Sequence, residues 1–508
     1  MAVLAGPDGP DASDSAIRPA TPRGRPEPSI KRLLIAAIPA IVIGLLIRAW
    51  VMRSPLLAMN SDEALTGLQS WEVLDGHFRL IVAGNDYGAT TETYLFAPIL
   101  AIWSGVWPLR VMSALLSVVA AFALYLLAVP LFGRVVAVTL ALIGWTVSGA
   151  IVLVWSRPYM GYSTGFIAQV AAVALACHAM RTTERLARTA LLAGFAAGFA
   201  IWSHPMFGVV ALLALAVPSV FRWRQYRRWW LCLVAGGLVG VAPWLLFIYQ
   251  NGRPESALPT VQTTYPERLP RFLTELLPRA FGLRAPNGTW LSPGALVMGG
   301  AALLIIGSLA GLVLLVVRRG VPALPILVAG LLAFPCLAIF SPLGFVADGR
   351  YALPFLPQMV MGLGAWLLLL QASVRTSVWL VAALPTVWAL VFCVPIIHHQ
   401  SGWQIVDPDE DAKRVVSELQ ARNIGYLDGD YWGTYLVDYL ADRSLQVNTD
   451  GTVRLQEQAA AVRQADPSSV AYIFKAGVAP RLRLPVENYQ LINLGAYDLY
   501  IPLPPEGG

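Results

Sequence analysis

The sequence predicts a polytopic α-helical membrane protein, with about eleven transmembrane helices followed by a small α/β domain outside the cytoplasm. Three observations predict it. Of 508 residues, 57% are hydrophobic and only 13% charged, against about one quarter charged in soluble proteins. Apolar runs near 20 residues, the length that crosses about 30 Å of hydrocarbon, recur along the chain as far as His398. After His399 the composition turns abruptly polar. A chain this long and apolar cannot hide its hydrophobic surface in water, so the bilayer is its solvent.

Residues 1–30 are rich in Pro, Asp, Ser and Arg and hold little that could form a core; they predict a disordered cytoplasmic tail. The following apolar run starts too late and is too long for a cleaved signal, and reads as an anchor. Spans are expected to begin near Leu33, Leu109, Val135, Gly161, Ala190, Met206, Trp229, Pro293, Val321, Tyr351 and Ser377. With that count the basic residues Lys31, Arg32, Arg134, Arg181, Arg185, Arg188, Arg222, Arg224, Arg227, Arg228, Arg318, Arg319 and Arg375 fall on one side, which is therefore the cytoplasm. The net charge of +6 reports this topology and not nucleic-acid binding. The four cysteines, Cys177, Cys232, Cys336 and Cys393, all lie in apolar segments and read as small buried hydrophobes.

The opposite face receives a long first loop, residues 53–108, and further loops around Arg157, from about Gln250 to Ser292, and from Ser341 to Arg350. Residues 31–398 thus form the membrane domain and 399–508 the soluble one. In the latter, Asp407–Ala421 has helical spacing with Asp407, Asp409, Glu410 and Asp411 at its start, where the helix dipole favours acids. A strand at Ile424–Leu427, a helix at Tyr431–Ala441, a helix at Gln456–Gln464 and strands at Leu445–Val447, Val470–Phe474 and Tyr497–Ile501 complete an α/β pattern. The domain has no nucleotide-binding glycine loop and reads as a lid or acceptor-docking module without chemistry of its own.

Candidate chemistry collects at the outer face. Asp62 and Glu63 stand together after the first span, where two carboxylates beside a membrane are costly unless solvated or used. They equally suit the first turn of an interfacial helix, Asp62 to Leu74, with Ser61 as its cap. The polar, aromatic stretch Gly84 to Tyr94 contains Asp86 and Glu92 and leads into a second interfacial segment, so the loop reads as two surface helices around a polar turn that roofs a cavity. Arg350, beside Tyr351 at the mouth of a late helix, suits a phosphate, because its planar fork makes two charge-assisted hydrogen bonds. A snorkelling arginine fits the same place. Arg157, next to Tyr159, repeats the pattern. His204, between two closely spaced spans, reads as a turn cap, and Asn287-Gly288-Thr289 fits a glycosylation acceptor.

The ordered combination of Asp62-Glu63 after the first helix, the long first loop with two interfacial helices, and Arg350-Tyr351-Ala352-Leu353-Pro354 opening a late helix resembles the GT-C membrane glycosyltransferases. The likeness is to the family 39 branch of protein O-mannosyltransferases and aminoarabinose transferases. The segment Asp430-Tyr431-Trp432-Gly433-Thr434-Tyr435 resembles tails of bacterial members. The resemblance implies transfer of a sugar, hexosyl or pentosyl, from a polyprenyl-phosphate carrier to a glycan, lipid or protein acceptor outside the cytoplasm. It further implies Asp62 as catalytic base, with Glu63 beside it. Arg350, Tyr351, Arg157 and Tyr159 would bind the donor phosphate, and no resident metal is implied. The acid that several relatives carry in the second outer loop is missing here; Asp86, Glu92 or His204 are the candidates for a second acid or an acceptor contact. A tail rich in Ala, Arg and Pro and poor in Lys points to a bacterial plasma membrane. A transporter or flippase of a lipid-linked glycan, which would show broken helices and internal repeats, and a non-catalytic member of the fold are the rival readings.

Overall fold

The computed structural model describes residues 28–182, 184–252, 264–284, 290, 295–340, 349–373 and 378–504. The N-terminal tail up to residue 27, Glu255, Asn287-Gly288-Thr289, the loop 341–348 with Asp348, and Arg375 lie outside them. From the N-terminal side, α1 (Ile30–Met52) leads into two short helices, α2 (Ser61–Leu74) and α3 (Thr91–Leu100), and then α4 (Val106–Phe132). Next come α5 (Arg134–Trp145), α6 (Gly149–Trp155), α7 (Tyr162–Ala179), α8 (Leu186–Ser203), α9 (Pro205–Phe221) and α10 (Trp230–Asn251). The membrane part closes with α11 (Ala295–Arg319), α12 (Leu324–Phe340), α13 (Leu356–Ser373), α14 (Trp379–Phe392) and α15 (Val394–Ser401).

Among the described residues, eight helices are long and apolar enough to cross a membrane, or nine if the bent pair α5 and α6 is one span. They turn bulky apolar side chains outward: Leu34, Ile35, Ile38, Leu45 and Leu46 of α1 are all exposed. Such a face is stable only against hydrocarbon. Helices α8 and α10 approach closely through Gly194, Gly198, Gly236 and Gly240; a Cβ at Gly194 would lie 1.9 Å from the Leu233 carbonyl oxygen, the small-residue packing expected where lipid supplies no hydrophobic drive.

One expected span is not continuous. The run from Val135 breaks by 79° between α5 and α6. Ser148 caps the second piece, its Oγ accepting from the Ile151 amide at 3.2 Å. The carbonyls at the break each meet a side-chain donor: Arg48 Nη2 donates to Trp145 O at 2.7 Å, Cys393 Sγ to Thr146 O at 3.2 Å and Trp388 Nε1 to Val147 O at 2.9 Å. A helix can break inside a protein at membrane depth only when its polar backbone is re-satisfied in this way.

The soluble part begins after Gly402, since α15 carries the helix past His399 to Ser401. It contains α16 (Glu410–Ala421), α17 (Tyr431–Leu440) and α18 (Gln456–Gln464) beside five strands: β1 (Tyr426–Gly429), β2 (Gln446–Val447), β3 (Val470–Lys475), β4 (Tyr489–Asn493) and β5 (Tyr497–Pro502). The sheet order is β2-β1-β3-β5-β4, with β1 parallel to both β2 and β3 and β5 antiparallel to β3 and β4. Strand β4 escaped the sequence pattern because Gln490, Leu491 and Asn493 are exposed and the strand is an edge with little apolar alternation.

This domain shares one hydrophobic core with the first loop. Leu65, Leu68, Phe96 and Leu109 pack in the same cluster as Val415, Leu427, Tyr435, Tyr439 and Leu499. Gly67 permits the closest approach, since a Cβ there would stand 2.2 Å from the Tyr439 ring. At the junction, Arg110 of α4 donates to Asp409 Oδ2 at 2.8 Å, with both side chains 2% exposed. Arg110 also donates to Leu57 O at 2.5 Å, and Asp409 Oδ1 accepts from the Met59 amide at 2.7 Å.

Removing one member of a buried ion pair leaves the other charge uncompensated and costs about 3–5 kcal/mol. Asp409→Ala is therefore expected to loosen the soluble domain from the membrane part. The check is thermal unfolding in detergent together with limited proteolysis between Gly402 and Asp409: a lower midpoint and faster cleavage are expected, with substantial recovery in the apolar double variant Arg110→Met/Asp409→Leu.

Candidate active site

Asn60 caps α2, its side chain accepting from the Glu63 amide at 3.1 Å. Ser61, expected as the cap, instead donates to the Tyr431 carbonyl. The first turn therefore presents Asp62 and Glu63 in succession, and because successive helical residues point about 100° apart, the two carboxylates face different surroundings. Asp62 faces a cavity. Glu63 faces the core, fully buried and paired with Arg157. Burial raises the Glu63 pKa against the pull of Arg157 and Arg110. Arg157 also donates to Leu56 O at 2.6 Å and Ala58 O at 3.1 Å. Of the expected site residues, Glu63 and Arg157 thus pin the segment before α2 and do not line the cavity.

The cavity, of about 630 Å³, lies between the membrane helices, the first loop and the soluble domain. Asp62, Asp86, Tyr159, His204, Arg350 and Tyr351 all line it. Arg350 Nη1 stands 3.4 Å from Asp62 Oδ2. The Arg350 guanidinium lies over three rings, Tyr159 at 5.0 Å, Tyr351 at 5.4 Å and Tyr162 at 5.7 Å. Rings this close attract a cation through their quadrupoles and restrict where the fork can point.

The second wall is the polar loop between α2 and α3. Trp202 Nε1 donates to Leu80 O at 3.0 Å, Trp244 Nε1 to Asp86 O at 3.0 Å, and the Ala89 amide to Ser203 O at 3.1 Å. Tyr87 packs edge-on against His204 at 5.1 Å; its burial pushes the phenol up to about 12. His204 is both the expected cap, its Nδ1 accepting from the Met206 amide at 3.3 Å, and a cavity wall. Burial and the neighbouring Arg350 lower its pKa to about 3, so the ring is neutral.

Glu92, a candidate second acid, does not reach the cavity. It caps α7: Oε2 accepts from the Gly161 amide at 2.6 Å and Thr91 Oγ1 at 2.9 Å, and Oε1 from the Thr164 amide at 3.1 Å and hydroxyl at 3.0 Å. Burial raises its pKa while these donors pull it back. Gly161 holds φ 77°, and a Cβ there would stand 2.2 Å from Ser203 O, so only glycine lets the loop carrying Tyr159 pass this close to the end of α8. Besides Asp62, the carboxylates that line the cavity are Asp86 and Asp450.

The third wall was not expected to take part. Tyr431, Trp432, Asp450, Thr452 and Arg454 of the soluble domain complete the lining. They follow β1 and β2 at their C-terminal ends, the edge at which parallel α/β sheets bind ligands. Tyr431 donates its hydroxyl to Asp62 Oδ1 at 2.7 Å, and burial together with Asp62 raises its pKa. Arg454 Nε donates to the Tyr431 hydroxyl oxygen at 3.4 Å, and its Nη1 to Gly84 O at 3.0 Å and to Asn85. Gly84, with φ 64°, lets the chains meet, since a Cβ there would lie 2.8 Å from Arg454 Cα. The segment around Tyr431 carried a sequence signal; Arg454 carried none. Among the described residues, no group of three or more His, Cys, Asp or Glu side chains is placed to hold a metal ion.

Removing Glu92 deprives two backbone amides of a buried acceptor, at about 1–3 kcal/mol for each unsatisfied group. Glu92→Ala should lower the thermal midpoint in detergent, and Glu92→Gln, which keeps one acceptor oxygen, should lower it less. Equal midpoints for wild type and Glu92→Ala would refute this anchoring role.

No family model matches the sequence, and no curated protein matches it. Solved structures do. ArnT from Cupriavidus metallidurans bound to undecaprenyl phosphate matches at TM-score 0.59 and 13% identity, over 93% of this chain and 98% of that one. Its apo state matches at 0.61 and 13%, over 91% and 97%. The Archaeoglobus fulgidus oligosaccharyltransferase in complex with Zn and sulfate matches at 0.51 and 14%, over 87% of this chain and 68% of that one. Over 93% of its length the chain shares the fold of ArnT, the GT-C fold.

Proposed function

We propose that this protein is a glycosyltransferase that moves a sugar from a polyprenyl-phosphate carrier to an acceptor hydroxyl on the outer side of a bacterial plasma membrane. The observation that carries the reading is the Asp62–Arg350 pair at 3.4 Å in a cavity between the membrane helices, the first loop and the C-terminal domain. A carboxylate and a guanidinium at this separation suit the two charge changes of the transfer. Asp62 takes the proton as the acceptor oxygen forms its bond to C1. The bond from C1 to the phosphate oxygen breaks, and the polyprenyl phosphate leaves with its charge met by Arg350. The tyrosine cage around Arg350 orients the fork beforehand, so little reorganisation is needed when charge develops. No step is assigned to a metal. The fold shared with ArnT bound to undecaprenyl phosphate supports a lipid-phosphate donor.

Among the described residues, the broken helix α5–α6 is the feature that favours a transporter. Its three carbonyls accept from Arg48, Cys393 and Trp388, bonds that tie the break to neighbouring helices as a fixed structural element, and the transferase reading is preferred.

The test is sugar transfer by purified protein in nanodiscs, from short-chain polyprenyl-phosphate hexoses and pentoses to an envelope extract. Asp62→Asn is expected to reduce transfer by about 10²–10⁴. Arg350→Lys, which keeps the charge and loses the fork, should reduce it by about 10². Undiminished transfer in folded Asp62→Asn protein would move the base elsewhere, and wild-type protein that carried a labelled donor across vesicles without transferring its sugar would restore the transporter.

A further inference from the structure

Both oxygens of Asp62 are engaged in the resting structure, Oδ2 by Arg350 at 3.4 Å and Oδ1 by the Tyr431 hydroxyl at 2.7 Å. Each oxygen thus already accepts one donor, and on Oδ1 an incoming acceptor hydroxyl meets a competitor. The group on Oδ1 is itself an O–H donor, on a helix of the other domain, at the distance and with the chemistry that an acceptor hydroxyl would have. We infer that Tyr431 is a latch: its hydroxyl holds the acceptor's place on the base and keeps water from being activated there until an acceptor displaces it. The inference rests on the transferase reading and adds a role for the soluble domain.

Three features give the latch its set position. Arg454 reaches the Tyr431 hydroxyl oxygen and, through Gly84 O and Asn85, the first loop. Arg454 also lies over the Tyr431 ring at 5.7 Å. The Arg454 amide donates to Tyr435 Oη at 2.7 Å, one turn further along the same helix. Tyr431 is thus held from its own helix, from the strand-end loop and from the first loop. The need is chemical. A lipid-phosphate sugar bound beside an unguarded carboxylate can react with water: the water oxygen bonds to C1, the bond from C1 to the phosphate oxygen breaks, Asp62 takes the water proton, and the lipid phosphate departs. The products are free sugar and lipid phosphate, and the donor is wasted. Asp62 lines the cavity with its side chain 26% exposed, and removing the Tyr431 hydroxyl frees a position on Oδ1 for water from that cavity.

The experiment measures release of labelled sugar from polyprenyl-phosphate hexoses and pentoses by the full chain in nanodiscs with no acceptor present, alongside transfer to an envelope extract. Wild type is expected to transfer while hydrolysing slowly. Tyr431→Phe should hydrolyse about tenfold faster while still transferring, Arg454→Gln should hydrolyse faster by a smaller factor, and adding Asp62→Asn to Tyr431→Phe should remove the gain. A folded Tyr431→Phe protein that transfers with unchanged hydrolysis overturns the latch and leaves the transferase standing, as does a gain that survives Asp62→Asn. Neither release nor transfer by wild type with any donor overturns the transferase reading and the latch with it.

Discussion

Charges withdrawn from water must be paired, and the site is built around that requirement. The segment between α1 and α2 is short and runs close to the membrane face, yet four charged side chains converge on it. Arg110 and Asp409 form one buried pair and Arg157 and Glu63 the other. Between them they take the carbonyls of Leu56, Leu57 and Ala58 and the amide of Met59. Each pair also bonds the backbone of this segment, and together they fix the start of α2. Asp62 inherits its position from this clamp. So does the soluble domain, because Asp409 sits at the threshold of its first helix.

The membrane architecture was legible because lipid imposes a blunt rule. Apolar runs starting near Leu33, Leu109 and Trp229 became helices, and the polar turn around Asp86 did separate two short helices. The break inside the run from Val135 was hidden because its partners, Arg48, Trp388 and Cys393, lie far away in sequence, and the run itself stays apolar. The Asp62-Glu63 pair was visible, but its division of labour was not: only packing decides which of two neighbouring helical residues faces the cavity. Glu92 looked reactive in a polar loop and proved to be a helix cap, since the amides it serves belong to α7. Composition could not reveal that Tyr431 and Arg454 belong to the cavity, for nothing in a short polar tail states which way its sheet faces.

The geometry also explains how a site can be rigid at a lipid surface. Asp62 rests on a helix anchored by ion pairs, Arg350 is enclosed by three tyrosine rings, and the loop bearing Tyr87 is held by indole donors from Trp202 and Trp244. Each functional group is therefore supported by contacts on a different element, and their relative placement does not depend on any single loop.

The core shared by α2 and the soluble domain has a consequence for how the protein is made. Asp62 and Tyr431 are 369 residues apart in sequence, yet they belong to one packed unit. During synthesis α2 emerges long before α17, so it meets α3 and the start of α4 first and gains Tyr435 and Tyr439 only at the end. Membrane insertion and completion of the site are thus separate in the order of synthesis: Asp62 is made with the first spans, and the wall that carries Tyr431 reaches it only after the bundle has been made.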